Sequence, residues 1–248
     1  RPEVAEFIFE SPGDITELVS IESMQLTNMD VENETWGVVL FRAQANLPDT
    51  LPGQNVTFLL FGDVSITNSV DPDDTSLKPM QAFYFNTGIG DRPCQEAPDS
   101  GILVQTPQGM GTVHLNANGA DIALGSTALF ETANGFLEIF MLDGAGVIEI
   151  DGVEYIIPAG TVVQIPIDDD GNIIGPPGDP QPYDLSDLLS LPIELLPQVI
   201  EIHEPLTEEQ IRNLLNPPTT PPPIVDNLPV PDECLTHWCL EGQPWGDG

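Results

Sequence analysis

The chain has 248 residues, 40% of them apolar, and sets forty Asp and Glu against five Lys and Arg for a formal net charge of −35. A surface of that sign repels polyanions, which excludes nucleic acid and anionic lipid headgroups and leaves divalent cations, basic partners or a charged matrix. The apolar runs are too short to span a bilayer, so no membrane insertion is expected.

Residues 1–14 read as an N-terminal extension strand. Val4 to Glu10 alternates with Ala5, Phe7 and Phe9 on one face, and Ser11-Pro12-Gly13-Asp14 separates it from the body. The start at Arg1 without an initiator Met reads as a mature, processed product. A first β region is expected over 15–100, with strand-like segments at Leu18 to Leu26, Trp36 to Ala45, Gln54 to Ile66 and Met80 to Phe85. The run Trp36-Gly37-Val38-Val39-Leu40-Phe41 is nearly continuously apolar, which predicts a strand buried on both faces. Residues 86–101 read as a Gly- and Pro-rich loop holding Cys94.

A second β region covers 101–171. Asn118-Gly119, Asn134-Gly135, Asp143-Gly144, Asp151-Gly152 and Asp170-Gly171 separate short apolar runs, with Ala159-Gly160 in the longest gap. Asn-Gly and Asp-Gly accept positive φ and suit tight hairpin turns. The last four strands therefore read as a meander repeating every eight or nine residues, about one strand and one turn. Residues 172–248 read as a Pro-rich, acidic, weakly helical tail that wraps the body. In it Asp184 can cap a turn from Leu185 to Leu189, and Thr207-Glu208-Glu209-Gln210 is a capping box ahead of Ile211 to Leu215. The expected fold class is all-β, a mainly antiparallel β-sandwich or β-roll.

Chemistry-bearing residues are few. Of the three cysteines, Cys234 and Cys239 enclose four residues and can pair locally, while Cys94 is the alternative partner. Either disulfide leaves one thiol, either buried or joined to another subunit. Cys234, His237 and Cys239 could also hold a soft metal with Cys94 as fourth ligand, but in an oxidising compartment a disulfide is favoured. Two acidic loops offer clustered carboxylates for calcium: Asp71, Asp73 and Asp74, and Asp168, Asp169 and Asp170 with Asn172. There is no G-x-S-x-G nucleophile elbow, and Gly88-Ile89-Gly90 opens no helical pattern. With forty acidic residues no glycosidase-like pair stands out. No catalytic activity and no cofactor other than calcium is expected.

The stretch from Ile102 to Ile167 resembles the FecR-like domain of bacterial envelope and secreted proteins. The matching residues are Val104-Gln105-Thr106-Pro107-Gln108-Gly109, Ala120-Asp121-Ile122-Ala123-Leu124-Gly125-Ser126, Leu142-Asp143-Gly144-Ala145-Gly146-Val147 and Ile157-Pro158-Ala159-Gly160-Thr161-Val162-Val163. The wider region from Trp36 to about Pro205 is similar to uncharacterised secreted proteins of Chloroflexi-type bacteria. The resemblance implies a β-sandwich or β-roll outside the cytoplasm, without enzymatic activity. FecR proper adds a membrane helix for iron-uptake signalling, a pattern not found here. The leading expectation is an extracellular or cell-surface structural protein that self-assembles into a filament or matrix, with Ala5, Phe7 and Phe9 on a donated strand. A monomeric envelope ligand-binding or sensor module is the alternative.

Overall fold

The computed structural model describes residues 11, 13–15, 21–44, 55–70, 81–88, 97–107 and 112–216. The chain divides between Leu215 and Asn216, and the described residues before that point form the first, compact unit. The described strands all belong to the first unit.

Three of the turn signals fold as hairpins. At Asn118-Gly119, Asn134-Gly135 and Asp151-Gly152 both residues take positive φ, 54° and 91°, 52° and 80°, 52° and 76°. That pair of signs marks the type I′ turn, whose twist matches antiparallel strands. The first joins β7 (Val113–Ala117) to β8 (Ala120–Leu124), the second β9 (Thr127–Ala133) to β10 (Phe136–Asp143), and the third β11 (Ala145–Ile150) to β12 (Val153–Pro158).

These hairpins do not continue as one meander. They alternate between two sheets, each of seven described strands. The first sheet runs β1 (Ser23–Gln25), β4 (Val64–Asn68), β5 (Ala82–Thr87), β7, β8, β11, β12. The second runs β14 (Gln181–Pro182), β13 (Thr161–Pro166), β10, β9, β6 (Gly101–Gln105), β3 (Asn55–Phe61), β2 (Val38–Gln44). Asp143-Gly144 is a corner between sheets, because the strands on either side of it must bury their apolar faces against each other. At Gly144, φ is 75° and an added Cβ would lie 2.4 Å from that of Ser126, so only glycine fits. Each sheet takes strands from both sequence regions, 15–100 and 101–171, which together build one sandwich. Among the described strands all pairings are antiparallel except the short β5·β7 seam, Ala82 to Asn116 and Phe83 to Ala117.

The sandwich core is a single cluster between the sheets, threaded by rings. Phe41 stacks on Phe58 at 4.9 Å, Phe58 meets Phe83 edge-on at 5.9 Å, and Phe83 and Phe85 lead on to Phe130. A second cluster lies on the far face of the second sheet. There Leu59, Phe61, Leu103, Leu129 and Leu142 pack under Tyr183, Leu188, Leu191 and Leu196. The chain from Tyr183 to Leu206 is thus a strap over that sheet. It is fixed by His203 N–H to the Leu142 carbonyl at 2.9 Å, by Leu206 N–H to that of Gly160 at 3.0 Å, and by Gln198, whose N–H donates to Gln105 Oε1 and whose carbonyl accepts from Gln105 Nε2. The Tyr183 hydroxyl donates to the His203 carbonyl, and burial pushes its pKa up to about 12.

The strap decides which strand is buried on both faces. That strand is β3, whose Val56, Phe58 and Leu60 face the sheet interface while Leu59 and Phe61 face the strap. The Trp36 to Phe41 run, expected to be buried on both sides, is not. In β2 the outer face packs against the strap cluster at Val38 but is open at Leu40 and Arg42, which that cluster does not reach. Helical structure is slight. Asp184 caps α1 (Leu185–Leu188) through Ser186 N–H at 2.9 Å, and Thr207 and Gln210 cap α2 (Glu208–Leu215) reciprocally.

Candidate functional site

The end of the sandwich that carries the Asn118-Gly119 and Asp151-Gly152 turns brings together a buried asparagine and several acidic side chains. Asn118 is 1% exposed and joins three segments. Its Oδ1 accepts from Phe85 N–H at 3.0 Å, and its Nδ2 donates to the carbonyls of Phe85 at 3.0 Å and Gly171 at 2.9 Å. Nearby, Thr87 and Thr132 clasp the two sheets. Thr87 N–H donates to Thr132 Oγ1 at 2.7 Å, and Thr132 N–H donates to Thr87 Oγ1 at 2.8 Å. A cavity of about 220 Å³ lies beside this clasp, bordered by Asn86, Ile167, Asp168 and Asp169.

The acidic loop after β13 is a turn organised by one side chain. Asp168 Oδ1 accepts from the N–H groups of Asp170 at 3.0 Å and Asn172 at 2.8 Å, and Asn172 Nδ2 donates to both carboxylate oxygens. These bonds, the Asn172 side chain first, hold the Asp168 pKa below 3.8. Among the described residues, no three or more His, Cys, Asp or Glu are grouped to hold a metal ion. Asp168, Asp169 and Asp170 are not gathered around one point in this turn. The carboxylate that would be the first ligand is turned back onto its own backbone. Asp71, Asp73, Asp74, Cys94, Cys234, Cys239 and the strand face of Ala5, Phe7 and Phe9 lie outside the described residues.

The Asp168 turn has an acid signature. A carboxyl whose pKa is lower folded than unfolded adds stability that is fully present above its unfolded value and is lost as pH falls through the folded one. Asp30, bonded by Asn33, and Asp184, bonded by Ser186, are lowered in the same way. Asp168→Ala should lower the melting temperature at neutral pH, and the gap from the parent should close once the pH is well below 3.8. Melting curves at the two pH values check this; a gap that is independent of pH would show that ionisation of Asp168 contributes nothing to it.

Strand register assembles a row that the linear sequence conceals. On the outer face of the first sheet Glu149 stands directly opposite Glu154 on one side and Asp121 on the other, and Asp121 opposite Asn116. Asn116 Nδ2 donates to Asp121 Oδ1 at 2.8 Å. At this end Asp121 and Glu149 also border a groove of about 690 Å³ closed by residues 172–176. His114 is exposed on the same face, opposite Ala123, and His203 lies in the strap.

The sheet edges differ in length. β1 and β14 have three and two residues, β12 has six and closes on Pro158, and β2 has seven and no proline. Among the described residues nothing pairs with the outer edge of β2. No helix among them is long and apolar enough to cross a membrane.

No protein-family model and no curated protein matches the chain. Two solved structures align with part of it, both of a "putative anti-sigma factor" from Parabacteroides distasonis ATCC 8503. One has a TM-score of 0.38 at 8% identity over 66% of this chain, the other 0.34 at 6% over 59%. In both cases the match spans 61% of that protein.

Proposed function

We propose that the chain is a non-catalytic structural subunit acting outside the cell, which self-assembles by strand addition at the β2 edge of its second sheet. The observation that carries this reading is β2 itself, seven residues long and without a described neighbour on its outer side. A long unpaired edge is a template for another strand, and proteins that must stay monomeric blunt such edges with charges, prolines or short strands. β1 and β14 are blunted by their shortness; β2 has neither that shortness nor a proline. The N-terminal segment alternates Ala5, Phe7 and Phe9 with charged or aliphatic residues, and a Pro-Gly pair follows it. It suits β-addition, in which main-chain bonds supply affinity and alternate side chains fill pockets. Donation from one copy to the next is head-to-tail and propagates unless it closes into a ring. The FecR-like resemblance and the excess of acidic residues support a place outside the cytoplasm and a role without catalysis.

The test is size. The intact chain should form oligomers or filaments visible by light scattering and electron microscopy, and deletion of residues 1–13 should leave monomers. Filaments that survive the deletion would rule out this donor. An intact chain that stays a monomer of 26.8 kDa would favour the ligand-binding or sensor module instead.

A further inference from the structure

We infer that the groove beside the Asn118-Gly119 and Asp151-Gly152 turns is a docking site for a basic peptide segment, a lysine- or arginine-bearing stretch of a different protein. Its volume of about 690 Å³ lies in the range of binding pockets, and its lining contains Asp121, Glu149 and Asp151 but no Lys, Arg or His. Glu149 is flanked by directly opposed carboxylates on both neighbouring strands. Like charges so placed destabilise a sheet, and a bound cation relieves them.

The rest of the lining says what kind of cation. Val153 and Ile174 are 50% and 65% exposed, and Tyr84 is 38% exposed. Large apolar side chains beside carboxylates suit a group with an aliphatic stem and a charged head, which describes Lys and Arg. A tyrosine ring adds a face for the cation. A bare metal ion fits poorly, since no three of these carboxylates are grouped to chelate one. A second copy of this chain fits poorly too, since it carries five basic residues against forty acidic ones. A basic partner has the complementary charge, and a site of this size admits several of its residues. The inference rests on the groove alone and is independent of assembly at β2.

The probe is an acetylated, amidated hexapeptide alternating Lys and Val, titrated calorimetrically into the full chain. Its match has norleucine in place of lysine. Saturable one-to-one binding is expected for the first and none for the second. Asp121→Asn with Glu149→Gln should weaken binding about tenfold or more, the scale of losing a charge-assisted contact. Glu201→Gln with Glu208→Gln, exposed residues away from the groove, removes the same charge and should change affinity less than about twofold if the effect is local. Tyr84→Ala, which leaves the charge alone, should also weaken binding. Near-ultraviolet circular dichroism confirms that each variant is folded. Equal loss in the two charge-matched double variants, or absence of saturation, would overturn the site. A free polyamine binding as tightly as the peptide would overturn the peptide as its occupant.

Discussion

Replacing Phe58 by alanine should lower the unfolding free energy by about 3–5 kcal/mol, a large part of the roughly 5–15 kcal/mol that holds a domain together. Phe58 is 1% exposed and lies where the two sheets interlock. One face stacks on Phe41 with the planes 6° apart, and its edge meets Phe83 of the opposite sheet at 83°. Both neighbours are held by strand hydrogen bonds, so neither can move far into the space left behind, and the cavity persists. Phe58→Leu keeps most of the volume and should cost under about 2 kcal/mol. Phe61 makes an informative comparison, because it is also fully buried but under the strap. The strap is tied by only a few hydrogen bonds and can settle into a void, so Phe61→Ala should cost less than Phe58→Ala. Urea unfolding measures both: the midpoint should fall while the slope stays constant. Equal losses would mean that the strap is as rigid as a sheet.

The same contrast between local and long-range contacts governs which features are legible in the sequence. Hairpin turns are decided within two residues. Asn118, Asn134 and Asp151 take positive φ because their side chains tolerate it, and the dipeptides reveal as much. Corners are decided across the sandwich. Asp143-Gly144 looks like the other Asp-Gly pairs, yet it moves the chain between sheets, and what fixes it is contact with Ser126. Gly62-Asp63 does likewise inside what reads as one long strand, sending β3 to one sheet and β4 to the other. In the strap, Leu185, Leu188, Leu191, Ile193, Leu196, Ile200 and Ile202 keep neither a helical nor a strand period, because they fit the grooves of a sheet rather than a repeat of their own. The groove was the least legible feature. Asp121 and Glu149 are two of forty acidic residues, and only the register of β8 against β11 makes them neighbours.

Asn118 is where the fold and the groove depend on one side chain. Asn118→Ala should cost about 3–5 kcal/mol, since it leaves the buried Phe85 N–H without an acceptor, frees two carbonyls, and places alanine at positive φ. Asn118→Gly removes the backbone penalty and retains the loss of hydrogen bonds, so it should fall between alanine and the parent. Asn118→Asp isolates the donor. It keeps an oxygen for Phe85 N–H but sets a carboxylate against the carbonyls of Phe85 and Gly171, where Nδ2 now donates at 3.0 and 2.9 Å. A carboxyl in that position prefers to hold its proton when folded, so its pKa rises relative to the unfolded chain. Stability measured against the parent at the same pH should then improve as pH falls and worsen as it rises. Because the Gly171 carbonyl anchors the turn leading into Asn172 to Pro176, all three variants should loosen that wall of the groove. Amide exchange should rise across 168–174 and stay slow in β3. An aspartate variant whose deficit matches that of alanine at every pH would show that the donated bonds do not hold this end of the sandwich together.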